Sequence, residues 1–188
     1  MKKEFLELLT RFLFFILIVH SPLVHSKFLL EPSFKVTNGR YYTSNNKGSL
    51  TGETINLNTG YIGEYIFAGF SIEKGHYKYS EKIENATSFN GGGIGTFLGF
   101  HFLNRFKIWT NYLNSSLEPT NQTSRRYFGQ FVSFGIGYRL FGNVVLNIES
   151  FKNQFTQIED DKTGKTSGLS ENIKTVGQSV SLSFLFVY

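Results

Sequence analysis

The last ten residues, Ser179 to Tyr188 (SVSLSFLFVY), constrain the fold more than any other segment of this sequence. Every second residue from position 180 is apolar, and the residues between them begin as serines. The apolar set comprises Val180, Leu182, Phe184, Phe186 and Tyr188. Because side chains of a β-strand point alternately to its two faces, this pattern predicts a strand with one apolar face and one polar face.

Seven earlier segments repeat the same period of two, with weaker alternation in the first and the fifth. They are residues 28–36, 54–61, 66–72, 89–102, 106–112, 127–140 and 144–150. Together with the last segment they predict eight β-strands.

The connections between these strands alternate in length. Three of them are tight-turn signals, namely Gly63-Glu64, Asn104-Arg105 and Gly142-Asn143. The others are longer and polar, at residues 43–50, 80–88, 115–125 and 156–173. Glycine and asparagine pairs favour two-residue hairpins, and short turns alternating with long loops are typical of outer-membrane barrels. The sequence therefore predicts an all-β fold, an eight-stranded antiparallel up-and-down transmembrane β-barrel with short turns and longer extracellular loops.

The first 26 residues predict a secretory signal peptide that is removed. Lys2 and Lys3 precede the unbroken apolar run Phe12–Val19, and Ser26 offers a small residue at the cleavage site. A membrane anchor is the alternative, but a spanning helix needs roughly 20 apolar residues. We therefore expect an exported protein whose residues 27–188 form one barrel domain.

Alternation alone does not tell which face of the barrel is apolar. A soluble lipocalin-like barrel is apolar inside, whereas an outer-membrane barrel is apolar outside. Aromatic residues make up 17% of the chain, with 21 Phe and 10 Tyr, and many lie near predicted strand ends, where an interfacial girdle requires them. The opposite faces carry Gly, Ser, Asn and charged residues, which are too small and polar to line an apolar ligand cavity. These features favour the membrane barrel, with the soluble barrel as the alternative.

Four segments carry a resemblance to a known family. They are Leu30–Phe34 (LEPSF), Gly91–Thr96 (GGGIGT), Phe134–Arg139 (FGIGYR) and Phe184–Tyr188 (FLFVY). With them the chain resembles the small bacterial outer-membrane β-barrels of the OmpX, OmpW and OmpA transmembrane-domain type, although it ends on Tyr rather than the commoner Phe. The resemblance implies a Gram-negative outer-membrane location, and it implies that the terminal strand is the assembly signal read by the insertion machinery. It implies no single activity, because the family covers adhesion, small-solute passage and anchoring.

The inward parity carries a set of charged residues and one histidine. They are Glu31, Lys35, Glu73, His101, Lys107, Arg139 and Glu149. Isolated buried charges are costly, and an eight-stranded barrel has room inside for side chains and little else. We therefore expect an interlocked polar network that plugs the lumen, with porin-like passage of small solutes as the alternative. Trp109 is left open, because it points inward by parity or outward after a bulge.

The sequence gives little support for catalysis. His101, Ser133 and Glu149 share the inward parity, so the triad of a lipid A-modifying enzyme can be drawn, but a plugged lumen excludes lipid. Motifs of serine hydrolases, zinc proteases and phosphate loops are absent, and there is no cysteine. The acidic run Glu159–Asp161 lacks calcium-loop spacing. We expect no enzyme activity, no metal and no cofactor.

The remaining basic residues suggest partners at the membrane surface. Four of them should project near lipopolysaccharide headgroups, where cations meet phosphate: Lys78, Lys82, Arg125 and Arg126. The basic residues of 27–188 are otherwise scattered, which disfavours nucleic-acid binding. We expect a monomer whose partners are outer-membrane lipid, lipopolysaccharide and the insertion machinery, and whose loops serve adhesion, interaction or envelope integrity.

Overall fold

The computed structural model describes residues 27–44, 46–83, 86–103, 105–121, 125–160 and 163–188, without the side chains of residues 170 and 171. The predicted signal peptide, residues 1–26, lies outside the described residues. Within the described ranges the chain consists of β-strands and turns. No helix in this part of the chain is long and apolar enough to cross a membrane.

The strands form one closed barrel. Their bounds are β1 Lys27–Tyr42, β2 Lys47–Ile62, β3 Ile66–Ile83, β4 Ala86–Phe102, β5 Phe106–Pro119, β6 Arg125–Phe141, β7 Val144–Asp160, β8 Lys165–Phe184 and β9 Phe186–Val187. Each strand from β1 to β8 pairs antiparallel with the next, and β8 and β9 both pair with β1. Since β8 and β9 are one strand interrupted at Leu185, the predicted eight-stranded antiparallel up-and-down barrel is confirmed.

The polar connections differ from the prediction. The strands take up most of the residues expected in long loops, and β7 and β8 remain paired as far as Asp160 and Lys165. The connections at this end, called the loop end, are residues 43–46, 84–85, 120–124 and 161–164. Those at the other end, called the turn end, are residues 63–65, 103–105 and 142–143. Prediction missed these extensions because their alternation is reversed: the outward residues are polar.

The predicted glycine turn between β6 and β7 is required by the backbone. Gly142 has a φ of +51°, in the left-handed region that glycine adopts without steric cost. The connection has two residues, and such hairpins favour positive φ because their twist matches that of the strands. At the β2–β3 turn, the amide of Gly63 donates to the carbonyl of Ile66 at 2.8 Å.

The turn-end part of the barrel is apolar on its outer face. We call this surface the apolar belt: Phe34, Val36, Ile55, Phe70, Ile72, Ile94, Leu98, Phe100, Val132, Phe134, Ile136, Ile148, Val180, Leu182 and Phe184, all exposed. A continuous apolar surface of this size is unfavourable in water, and it matches the band that a transmembrane barrel presents to lipid.

Exposed aromatic side chains concentrate where the belt meets the turn end, as an interfacial girdle does. Phe102 stacks on Phe106 with ring centroids 5.8 Å apart, and Phe106 contacts Tyr138 at 4.9 Å. The two ends of the described chain meet there as well, because Phe28 and Tyr188 exchange two backbone hydrogen bonds of 3.0 Å.

The loop-end part of the barrel has the opposite arrangement. We call it the collar, residues 38–53, 74–92, 113–131 and 150–178. Its outer face is largely polar, with Tyr42 and Val176 as exposed exceptions. Its interior is a buried apolar cluster of Tyr41, Leu50, Tyr79, Ile83, Ala86, Phe89, Leu113, Leu117, Tyr127, Phe131, Phe151, Phe155 and Ile173. Burial of apolar side chains is the main stabilising force for a barrel wall surrounded by water. The collar is therefore built like a soluble barrel and the belt like a membrane barrel.

Candidate functional site in the lumen and collar

Buried ion pairs join distant strands across the middle of the lumen. Lys35 Nζ lies 2.7 Å from Glu73 Oε2 and 3.2 Å from Glu149 Oε1. The hydroxyl of Tyr77 donates to the second oxygen of Glu73 at 3.0 Å. Lys35 Nζ also lies 5.7 Å from the centre of the Phe131 ring, within reach of a cation–π contact. One ammonium thus pairs with two carboxylates and contacts the collar core.

A second cluster lies closer to the turn end. Lys107 forms an ion pair with Glu31, and the hydroxyl of Ser183 donates to the same carboxylate. The amide of Asn147 donates to Ser181 at 3.2 Å and to Ser183 at 2.9 Å. Four of the barrel strands are tied together by these contacts, which is the interlocking that buried charges require.

Trp109 points inward and is 6% exposed. Its indole ring occupies the space that a side chain at position 135 would fill, so Gly135 permits this close approach. Lys107 Nζ lies 4.7 Å from the centre of the ring, which adds a cation–π contact. The orientation that the sequence left open is therefore inward.

Two residues of the predicted network lie outside it. His101 Nε2 contacts the carbonyl of Gly63 at 2.7 Å, at the rim of the turn end. Arg139 is half-buried there, and among the described residues no carboxylate lies within 4 Å of its guanidinium. The assignment of Arg139 to a paired network was wrong, because the residue precedes the end of β6 at Phe141 and faces the mouth of the barrel.

Three of the cavities among the described residues lie along the lumen. Cavities of about 30 Å³, 10 Å³ and 70 Å³ lie in the collar, in the middle and at the turn end. A cavity needs about 10–15 Å³ to hold one water molecule. Such spaces admit waters or a small ion.

Amide oxygens that sequence reasoning did not single out surround the middle cavity. Four of them, buried and with no hydrogen-bond partner among the described residues, belong to Asn56, Asn58, Asn111 and Asn147. Buried polar groups of this kind are typically bridged by water. The sequence indicates that these four asparagines point into the lumen, because they lie at inward positions of their strands. That they meet at one cavity depends on the strand register, which the sequence alone does not give.

The three residues of the triad drawn from the sequence make their hydrogen bonds and ion pairs elsewhere or not at all. His101 contacts Gly63, Glu149 is paired with Lys35, and the hydroxyl of Ser133 has no hydrogen-bond partner in the described part of the chain. Across the same residues, no three side chains of His, Asp or Glu lie together as metal ligands.

The four basic residues predicted at the membrane surface lie on the collar in two separate pairs. Lys78 and Lys82 are exposed on the outer face of β3. Arg125 is exposed at the start of β6, and the guanidinium of Arg126 lies 3.8 Å from Glu118. Two strands stand between the pairs, a separation of about 14 Å at the usual strand spacing.

An open groove of about 800 Å³ crosses the outer wall from β3 to β7. The wall is depressed at this place because the outward residues Gly92 and Ser116 are small. Lys74 and Arg126 are among the groove residues, as is the apolar Ile94 at the upper edge of the belt. Sequence reasoning missed Lys74 because it lies in the reversed part of β3.

Comparison with known proteins identifies the fold. No protein-family model and no curated protein sequence matches this chain. Among solved structures, Neisserial surface protein A (NspA) is similar with 16% identity and a TM-score of 0.54, over 85% of this chain and 97% of that one. The attachment invasion locus protein (Ail) of Yersinia pestis, in complex with the heparin analogue sucrose octasulfate, is similar with 9% identity and a TM-score of 0.52, over 84% and 99%. These similarities confirm the resemblance to small outer-membrane barrels at the level of the fold.

Proposed function

We propose that this protein is a non-enzymatic outer-membrane barrel whose lumen is closed and whose collar is an interaction surface for anionic glycans. The observation that carries the proposal is the reversal of polarity between belt and collar. Because the collar has its own apolar core, it holds a rigid polar surface beyond the lipid. If the collar projects from the outer leaflet, the nearest such glycan is the lipopolysaccharide of that leaflet. The turn end of the barrel then faces the periplasm.

The charge of the collar favours this class of ligand. The collar segments contain eleven lysines and arginines against eight aspartates and glutamates, a net charge of +3. The cations are Arg40, Lys47, Lys74, Lys78, Lys82, Arg125, Arg126, Lys152, Lys162, Lys165 and Lys174, and the acids are Glu53, Glu81, Glu84, Glu118, Glu159, Asp160, Asp161 and Glu171. A net positive charge attracts phosphate and sulfate groups at moderate ionic strength.

The outer-wall groove supports lipopolysaccharide in particular. Lipid phosphates lie at the boundary between acyl chains and water, and Lys74 lies at that boundary beside Gly92 on the neighbouring strand. Ile72 and Ile94 continue the apolar surface below it toward the belt. The groove can therefore accept an amphiphile whose phosphate meets Lys74 and Arg126. The Yersinia barrel solved with a sulfated heparin analogue gives a precedent for a polyanion on this fold.

Lipopolysaccharide binding tests the collar. We expect Lys78→Ala and Lys82→Ala to weaken binding of lipopolysaccharide to the refolded protein by about two- to fivefold each, because exposed ion pairs contribute little individually. Lys27→Ala, which removes an exposed cation at the turn end, is the matched control and should change nothing. Equal loss in both sets of variants would contradict a collar-specific surface.

Bilayer conductance tests the closed lumen. Heat-modifiable gel mobility identifies the folded barrel, and planar bilayers containing that material should show no single-channel steps. Reproducible steps would favour the alternative function, passage of small solutes.

Lipid A analysis tests the absence of catalysis. Overexpression should leave the mass spectrum of lipid A unchanged, since His101, Ser133 and Glu149 make no contact with one another. A shift by the mass of one acyl chain would contradict the non-enzymatic proposal.

A further inference from the structure

Nearly all of the titratable residues that line the cavity at the turn end are basic. Four basic side chains contribute to its wall, His101, Arg105, Lys107 and Arg139, beside one carboxylate, Glu31. None of the roles proposed above uses this cavity.

The charges around the cavity do not cancel. Glu31 is already paired with Lys107 and accepts a second hydrogen bond from Ser183. No carboxylate of the described residues lies within 4 Å of Arg105 or Arg139. The mouth therefore keeps two positive charges, while the imidazole of His101 is held by the carbonyl of Gly63.

The surroundings strengthen the attraction of this site for an anion. Buried apolar side chains, Leu29, Phe67, Val145 and Leu185, complete the wall. Charges interact more strongly beside such low-dielectric groups than in water. Arg139 is half-buried among them, so its guanidinium gains more from an anionic partner than a fully solvated arginine does.

We propose that the turn-end mouth binds a phosphate group, with Arg139 as the main ligand and Arg105 and Lys107 beside it. A guanidinium presents a planar fork of donors that fits phosphate in a bidentate manner. Two uncompensated cations favour a phosphate near −2 over a singly charged carboxylate. At about 10–15 Å³ for each water-sized group, the cavity of about 70 Å³ has room for four oxygens.

The chain has its own reporter for this site. Trp109 is the single tryptophan, and Lys107 Nζ, which lies 4.7 Å from its ring, also lines the cavity. An anion that forms an ion pair with Lys107 changes the electrostatic environment of the indole ring. Inorganic phosphate, titrated into the folded protein in an uncharged detergent free of phosphate, should produce a saturable change in tryptophan emission that sodium chloride at equal ionic strength does not.

Matched variants assign the binding to the mouth. Arg139→Gln should weaken phosphate binding by about tenfold or more, because it removes a charge-assisted bidentate contact. Lys27→Gln, which removes an exposed lysine that lies outside the collar and does not line the cavity, should leave the affinity unchanged. Arg139→Lys keeps the charge without the fork and should show an intermediate loss, and it provides the comparison if Arg139→Gln does not fold by heat-modifiable mobility. No saturable response in the natural protein, or equal affinity in every folded Arg139 variant, would overturn the proposal.

A lipid arm identifies the source of the phosphate. Nanodiscs of phosphatidylglycerol are compared with nanodiscs of digalactosyl diacylglycerol, which has no phosphate. Loss of the phosphate response only in phosphatidylglycerol supports the proposal and assigns the site to a lipid headgroup. A response in both kinds of nanodisc supports it with soluble phosphate as the ligand. Loss of the response in both overturns it for the membrane-embedded protein.

Discussion

The belt and the collar are made from the same strands and have opposite polarity. On β3, the outward residues change from apolar Phe70 and Ile72 in the belt to Lys74 in the collar. The inward residues change in the opposite sense, from Glu73 to Tyr79. The strand pairing does not change between the two regions, because β2, β3 and β4 remain in register through this boundary. The solvent around the wall, lipid or water, therefore decides which parity carries the apolar residues.

The two regions also differ in what fills the lumen. The belt encloses paired charges and amides, with a smaller apolar cluster near the turn end that includes Phe67, Phe97 and Trp109. The collar encloses a larger cluster of packed aromatic and aliphatic side chains. Burying one large apolar side chain contributes about 1.5–3 kcal/mol relative to leaving it in water. Lys35 lies where the regions meet, since it pairs with Glu73 and contacts the ring of Phe131.

The largest effect should come from breaking that junction. Lys35→Met leaves Glu73 and Glu149 buried without their cation, and removing one partner of a buried ion pair costs about 3–5 kcal/mol. Urea unfolding of the protein in lipid vesicles measures the loss. Combining Lys35→Met with Glu73→Gln and Glu149→Gln should recover most of it, and no recovery would contradict a charge-based explanation. Lys152→Met, at an exposed position, is the control.

A somewhat smaller and more local effect is expected from the collar core. Phe89 is fully buried there, and Phe89→Ala should cost about 3 kcal/mol through lost transfer energy and the cavity that remains. Backbone hydrogen exchange should increase in the collar and stay slow in the belt. Uniformly faster exchange along the strands would show that the two regions unfold as one unit. Phe134→Ala on the lipid-facing belt is the comparison and should leave collar exchange unchanged.

The sharpest contrast comes from placing the same charge on the outer face of each region. Ile55 belongs to the belt, and Thr51 lies two outward positions away on the collar part of β2. Ile55→Arg should destabilise the barrel in vesicles by about 1–2 kcal/mol, because Ile55 lies opposite Lys74 near the edge of the belt and the cost of arginine is largest at the bilayer midplane. Thr51→Arg should have little effect. Equal destabilisation at both positions would show that the membrane boundary does not lie between Thr51 and Ile55.

Much of the fold could be predicted from the sequence, because alternation in the belt follows one simple rule. The final strand already shows this alternation, because Val180 and Leu182 point outward and the serines between them point inward. The collar could not be predicted by the same rule because its polarity is reversed: Tyr79 and Phe89 point inward, where the belt has small polar residues. When both parities are considered, residues 74–83 continue β3, including residues 80–83, which were predicted to lie in a loop.

The lumen contacts could be predicted only in part. Parity placed Lys35, Glu73 and Glu149 inward, but Lys35 pairs in register with Thr54 and Ser181. Its carboxylate partners lie across the lumen, where barrel shear rather than sequence distance decides which groups meet. The same reason explains Arg139, whose height on β6 puts it at the mouth, beyond the reach of the carboxylates.

The polarity reversal is the central claim, and site-directed spin labelling measures it most directly. The chain contains no cysteine, so a single cysteine can be placed in turn at the outward positions 70, 72, 74, 76 and 78 of β3. In lipid vesicles, the label should be accessible to oxygen and shielded from a water-soluble nickel complex at 70 and 72, and the preference should invert by 76 and 78. Oxygen preference along the whole series, or nickel preference along all of it, would contradict the account.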